Sequence, residues 1–174
     1  MENLKASIRS IPNWPIDGVI FRDLTTLMLN PQVFKETCDL FHTRYKDQRI
    51  DKIVGIDARG FVFGAVLAYQ LNIGFVPVRK KGKLPHETIR ASYTLEYGEN
   101  TVEMHKDAIS QGERVVIVDD LIATGGTIAA AVSLVEHLGG DIVECAFIVE
   151  LPDLKGRDKI KNQKIYSMVT FEGE

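Results

Sequence analysis

Cysteine is scarce in this chain: Cys38 and Cys145 are the two thiols among 174 residues. Neither their number nor their separation suits a disulfide framework or a zinc site, so they read as small buried hydrophobes in a reducing compartment. Histidine is sparse as well, and His42, His86, His105 and His137 fall into no metal-ligand spacing. Charge of one sign is not in excess. Twenty-one Lys plus Arg face 24 Asp plus Glu, a net −3 that argues against a general nucleic-acid binder while leaving room for a local basic patch. No apolar run approaches a membrane span, and the opening MENLKASIRSIPNW lacks a signal-peptide core. Linkers, repeats and low-complexity tracts are missing too. These absences lead to the expectation of a soluble, cytoplasmic protein forming a single domain over 1–174, and 45% hydrophobic residues suffice for a real core.

The most informative stretch that is present is Val115 to Thr127, VVIVDDLIATGGT. Four consecutive apolar residues, all of them β-branched, suit a strand buried on both faces, which then delivers Asp119 and Asp120 to its rim. Ala123, Thr124, Gly125, Gly126 and Thr127 follow, ahead of an apolar helix-competent segment. Glycines let backbone approach a ligand, and the free N–H groups of a helix start favour an anion. Carboxylates for hydroxyls beside a turn for phosphate describe a seat for ribose 5-phosphate. The plain alternative is an ordinary glycine-rich strand-to-helix turn, and the paired aspartates shift the balance away from it.

Further strand-and-helix units repeat along the chain. Lys52 to Ile56 reads as a parallel-type strand that ends in Asp57-Ala58-Arg59-Gly60 and leads into a helix over Phe61 to Leu71. Gly74 to Val78 is a strand running into the basic cluster Arg79 to Lys83, and Ile142 to Val149 and Lys164 to Phe171 are two more. Pro31 with Asn30 before it starts an amphipathic helix reaching Tyr45, and Thr127 to Leu138 forms another, closed by Gly139-Gly140. Glu2 to Ser10 suits a short helix, after which Pro12 and Pro15 force an extended passage, and Leu154 to Lys161 suits another short helix. From Leu84 to Asn100 no period is sustained, so this stretch reads as a mobile loop leading into strands. The alternation predicts an α/β fold with a doubly wound, mainly parallel sheet and ligands at the carboxyl ends of its strands.

VVIVDDLIATGGT resembles the phosphoribosyl pyrophosphate (PRPP) signature of the type I phosphoribosyltransferases. Three further segments, GVIFRD at Gly18 to Asp23, DARGF at Asp57 to Phe61 and ASYTLEYG at Ala91 to Gly98, are similar to segments of the adenine phosphoribosyltransferases within that family. The resemblance implies transfer of the 5-phosphoribosyl group of PRPP to adenine, giving AMP and pyrophosphate in purine salvage.

Site roles follow from the same likeness. Asp119 and Asp120 hold the ribose hydroxyls, and Ala123 to Thr127 hold the 5-phosphate. Pyrophosphate falls to Asp57, Ala58, Arg59, Arg79 and Lys83, with a cis peptide between Asp57 and Ala58. Adenine is met by Val19, Ile20, Phe21 and Arg22, in part through backbone groups, and by Leu121. Glu96 and Tyr97 join Arg59 as the catalytic residues. The resemblance also implies a hood over about 1–30, a catalytic loop over about 82–100, and a homodimer that shares the pyrophosphate site. Mg²⁺ is expected to bind mainly through PRPP and water, with no direct protein ligand. Neither nucleic acid nor membrane is expected as a partner, and His86 receives no role. Two alternatives stay open on the sequence: a phosphoribosyltransferase for another base, and a PRPP-sensing binding protein without catalysis.

Overall fold

The computed structural model describes residues 1–95 and 98–173. The chain opens with helix α1 (Glu2–Ala6), strand β1 (Arg9–Pro12) and strand β2 (Ile20–Asp23). The helix expected as far as Ser10 stops at Ala6, because Arg9 and Ser10 enter β1 and pair antiparallel with Asp23 and Arg22 of β2. The resulting two-stranded ribbon is separate from the main sheet. Its connection turns at Asn13, whose side chain accepts from the Gly18 backbone N–H at 3.0 Å, and the Trp14–Pro15 peptide is cis.

Helices α2 (Thr25–Leu29) and α3 (Pro31–Tyr45) follow. The Asn30 side chain caps α3 by accepting from the N–H groups of Gln32 and Val33, satisfying donors that a helix start leaves orphaned. The inward face of α3 carries Val33, Thr37, Cys38, Phe41 and Tyr45, all buried at helical spacing.

The remainder is β3 (Lys52–Ile56), α4 (Arg59–Leu71), β4 (Gly74–Lys80), β5 (Thr88–Leu95), β6 (Gly98–His105), β7 (Arg114–Ile122), α5 (Gly126–His137), β8 (Asp141–Glu150) and β9 (Ile165–Thr170). Two 3₁₀ turns, Pro152–Leu154 and Gly156–Ile160, stand where one short helix is expected. The seven strands order as β5-β6-β4-β3-β7-β8-β9. Neighbours from β4 through β9 pair parallel, whereas β6 joins β4 and β5 joins β6 antiparallel. The sheet is thus doubly wound and mainly parallel.

Strand β7 shows why its sequence is apolar without a break. Val116 and Val118 pack into one core with α3 and α4, while Val115 and Ile117 pack into a second core beneath α5. Successive side chains point to opposite faces, so a strand covered on both sides needs apolar residues at every position.

Within the stretch read as a mobile loop from Leu84 to Asn100, residues 88–95 belong to β5 and residues 98–100 to β6. Ile89, Ala91 and Tyr93 pack against the α5-side core, and between them the Arg90 Nε donates to Glu103 at 2.7 Å. Glu103 is only 1% exposed, and it also accepts from the Gly82 N–H at 2.9 Å, which ties the start of the connection to the hairpin. Strand β7 likewise runs four residues further than its apolar segment, so Asp119 and Asp120 lie within the strand rather than after it.

Candidate active site

The carboxyl ends of β3, β4 and β7 converge on one edge of the sheet. Strand β7 brings Asp119, Asp120 and Leu121 to that edge, and residues 123–125 then turn the chain into α5. Gly125 has φ +78°, in the left-handed region, and the space that its side chain would fill is occupied by the backbone of Gly156. The turn is therefore built on glycine and backed by the second 3₁₀ turn. Residues Leu121 to Ile128, with Asp119, enclose a cavity of about 100 Å³ facing the first N–H groups of α5.

Strand β3 ends beside it at Ile56. The Asp57–Ala58 peptide is cis, as the resemblance implies, and Arg59 is the first residue of α4 rather than part of the turn. Its Nε donates to the Asp120 carboxylate, an ion pair that joins the ends of β3 and β7. On the next strand, the Arg79 Nε donates to Asp57 Oδ2 at 3.1 Å, and its terminal nitrogen donates to the Lys83 carbonyl at 3.4 Å. Both arginines expected to meet pyrophosphate are thus held by aspartates of the same site. Together these groups line a cleft of about 560 Å³, whose walls include Asp57, Ala58, Arg59, Arg79, Lys83, Asp119, Asp120 and Thr127.

Asp119 lies at the floor of this cleft, and one of its oxygens accepts from the Asp120 N–H at 2.9 Å. Loss of water, followed by the neighbouring charge of Asp120, holds the Asp119 carboxyl well above the ordinary carboxylate range. A carboxyl that keeps its proton can donate to an oxygen as well as accept from a hydroxyl.

A third cavity, about 300 Å³, lies between the β1–β2 ribbon and the sheet edge. Gly18, Val19, Ile20, Phe21 and Arg22 form one wall, and Leu121, Ala123, Leu151 and Leu154 form the other. Phe21 meets Trp14 edge-on at 4.4 Å between ring centroids, and the Arg59 guanidinium stands 6.0 Å from the Phe21 ring. The Arg22 side chain instead donates to Ser10 Oγ within the ribbon at 2.5 Å and fastens the ribbon to the body by lying 4.3 Å from the Phe171 ring. Leu121 borders all three cavities.

The structure gathers Val19, Ile20, Phe21, Arg22, Asp57, Ala58, Arg59, Arg79, Lys83, Asp119, Asp120, Leu121, Ala123, Thr124, Gly125, Gly126 and Thr127 around this one edge. Glu96 and Tyr97 lie outside the described residues. Sequence reading missed Leu151, Leu154 and Gly156, which lie in or beside 3₁₀ turns without periodic signal, and it missed Tyr93 and Asn100 on the hairpin, which also line the cleft. Tyr93 could have been found from the alternation Ile89, Ala91, Tyr93, which marks the inward face of a strand.

Comparison with known proteins agrees with this geometry. Residues 24–172 match the family model described as a phosphoribosyl transferase domain. Over 172 residues the chain is 64% identical to the adenine phosphoribosyltransferase of Desulfosudis oleivorans, covering 99% of each chain. It is 54% identical to the Clostridium botulinum protein of the same name, covering 97% of this chain and 98% of that one. Among solved structures, the adenine phosphoribosyltransferase of Thermoanaerobacter pseudethanolicus superposes with a TM-score of 0.94 at 47% identity, covering 98% of this chain and 99% of that one. The Saccharomyces cerevisiae enzyme, solved with an imino-altritol bisphosphate and adenine, superposes at 0.92 with 44% identity and 97% of each chain covered. The chain belongs to the phosphoribosyltransferase family, on the branch whose members carry the name adenine phosphoribosyltransferase.

Proposed function

We propose that the three adjoining cavities divide the reaction of adenine with PRPP, which yields AMP and pyrophosphate in purine salvage. The observation that carries this reading is their shared wall at Leu121: an apolar slot, an arginine-bearing cleft and a glycine turn at a helix start meet at one side chain. A planar base, a pyrophosphate and a phosphate monoester, all attached to one ribose, are the ligand set that such a junction suits.

The 5-phosphate is assigned to Ala123, Thr124, Gly125, Gly126 and Thr127, where backbone donors and the α5 dipole favour a dianion. The ribose hydroxyls go to Asp119 and Asp120. Pyrophosphate is assigned to Asp57, Ala58, Arg59, Arg79 and Lys83. As it arrives, the terminal nitrogens of Arg59 remain for phosphate oxygens while its Nε keeps Asp120. Adenine enters the apolar slot against Phe21 and Leu121, with backbone groups of Val19, Ile20 and Arg22 reading its edge.

A base nitrogen attacks the anomeric carbon as the bond from that carbon to pyrophosphate breaks, and the bonding pair departs with pyrophosphate. Positive charge develops on the ribose, so the transition state gains from the Asp120 side chain beside the sugar, with Asp119 orienting the hydroxyls, and from Arg59, Arg79 and Lys83 on the leaving group. The proton lost by adenine is assigned to Glu96, with Tyr97 ordering that segment.

Mg²⁺ fits this site as a companion of PRPP. Asp119 and Asp120 offer hard oxygen donors at the cleft floor, and no group of three His, Cys, Asp or Glu side chains forms a cage among the described residues. Two carboxylates reached through ribose hydroxyls or water match a cation that keeps much of its own hydration. When bound, it offsets charge on the pyrophosphate.

The reading also includes a homodimer sharing the Arg79 to Lys83 segment, and a cytoplasmic location. Burial raises the thiols of Cys38 and Cys145 to about 11 and about 12, in keeping with inert cysteines. No helix among the described residues is long and apolar enough to cross a membrane.

The test is an assay of the purified protein with PRPP, Mg²⁺ and adenine, hypoxanthine, guanine, xanthine or orotate, following pyrophosphate release. Release is expected with adenine. Release with another base and none with adenine would move the assignment to a different base, and silence with all five would point to a binding protein.

A further inference from the structure

Tyr93 stands outside every role assigned so far, yet it reaches the phosphate seat directly. The Thr127 hydroxyl, on the second residue of α5, donates to the Tyr93 hydroxyl at 2.9 Å. The Tyr93 ring lies flush against Gly126, where a Cβ would come within 2.7 Å of its Cδ2. Tyr93 and Thr127 both line the large cleft. On β5, Tyr93 pairs with Asn100 across the hairpin, so its backbone belongs to the antiparallel edge while its hydroxyl belongs to the turn after β7.

We propose that Tyr93 is a positioning residue for the 5-phosphate, acting through Thr127. The inference rests on the assignment of that phosphate to residues 123–127. In the free protein, the Thr127 proton is directed at Tyr93. A phosphate dianion only accepts hydrogen bonds, so when it binds, the Thr127 hydroxyl must turn its proton toward the ligand. A hydroxyl has one proton to give and two lone pairs to accept with, and so has its partner. Tyr93 can therefore reverse the bond, donating to the oxygen of Thr127 that it formerly accepted from. Both hydroxyls stay satisfied, the Thr127 side chain keeps its rotamer, and the donor to the phosphate is strengthened by the chain of bonds behind it. Removing only the phenolic oxygen leaves the ring on Gly126 but leaves Thr127 with no partner to receive from once phosphate is bound.

Calorimetric titration of AMP and of adenosine, which lacks the phosphate, tests this on the wild type and on Tyr93→Phe, Thr127→Val, Thr127→Ser and the Tyr93→Phe/Thr127→Val double variant. Tyr93→Phe is expected to weaken AMP about five- to tenfold, the worth of one hydrogen bond, with adenosine unchanged. The same loss is expected in the Thr127→Ser background, and less than about a twofold further loss in the Thr127→Val background, since coupling through a shared bond is non-additive. Equal weakening of AMP and adenosine by Tyr93→Phe would show a packing role and overturn the proposal. Undiminished AMP binding by Tyr93→Phe, with AMP selectively weakened by Thr127→Val, would overturn it while sparing the phosphate seat. If Thr127→Val also left the preference for AMP intact, the seat itself would be misassigned. Tyr93→Leu, which removes ring and hydroxyl together, must weaken AMP at least as much as Tyr93→Phe does.

Discussion

Two strand-to-helix units, β3 into α4 and β7 into α5, deliver the chain to the same edge and face the cleft with opposite kinds of group. The β7 unit offers backbone: a turn with a left-handed glycine, packed against the backbone of Gly156, leads into the first N–H groups of a helix. The β3 unit offers a side chain, Arg59, placed at the first position of its helix and already paired with Asp120. The contrast matches what each anion does in the proposed reaction. The 5-phosphate stays attached throughout and suits rigid donors, whereas pyrophosphate must be gripped and released, which a side chain anchored through its Nε permits.

The largest expected effect attacks the backbone unit. Gly125→Val puts a β-branched residue at positive φ and into the Gly156 backbone, so kcat/KM should fall by about 10³ or more, with AMP binding lost alongside it. Arg59→Ala should cost about 10²-fold in kcat, the scale of one lost donor at a developing charge, while AMP binding measured by calorimetry holds within about twofold. Arg59→Lys should recover little, because a point charge lacks the planar fork. If Arg59→Ala instead weakened AMP as much as it slowed turnover, the division between the staying and leaving anions would fail. Phe21→Ala should raise the KM for adenine about tenfold through lost ring contact and leave the KM for PRPP unchanged, which steady-state kinetics would show.

The smallest effect concerns stability. The Asp119 carboxyl is raised above its ordinary 3.8, so the folded protein holds a proton that the unfolded chain releases, and stability falls as pH climbs from the ordinary value to the raised one. Asp119→Asn cannot lose a proton there. Its melting temperature should match the wild type in acid and exceed it by about 2–4 °C at neutral pH, even as turnover drops. A wild-type advantage that grew with pH would mean that Asp119 is stabilised as an anion.

Much of this edge was legible because it is local in sequence. VVIVDD announces a strand with both faces covered, Asn30-Pro31 announces a helix start, and the glycines announce a tight turn into α5; each signal lies within a few residues of what it specifies. The features that escaped are made by distant partners. Arg59 and Asp120 are 61 residues apart, and nothing near either one says that they will pair. Glu103 looks like a solvated strand residue, but it is almost fully buried because Arg90 and the Gly82 N–H, 13 and 21 residues away, supply its bonds. Without those partners visible, the charges of Arg90 and Glu103 mask the alternation of Ile89, Ala91 and Tyr93, and the hairpin reads as a loop.

The ribbon of β1 and β2 is a separate sheet, fastened to the body by contacts such as the Arg9 N–H with Thr26 and Arg22 with Phe171 rather than by strand pairing with the seven-stranded core. It carries the wall with Phe21 but none of the residues proposed to hold the sugar or the phosphates. Leu121, in contrast, borders all three cavities of the site at once. On the proposed assignment, a change of base preference, in nature or at the bench, is least disruptive when it is sought on the ribbon, an exchangeable reading head on a fixed ribose-phosphate chassis.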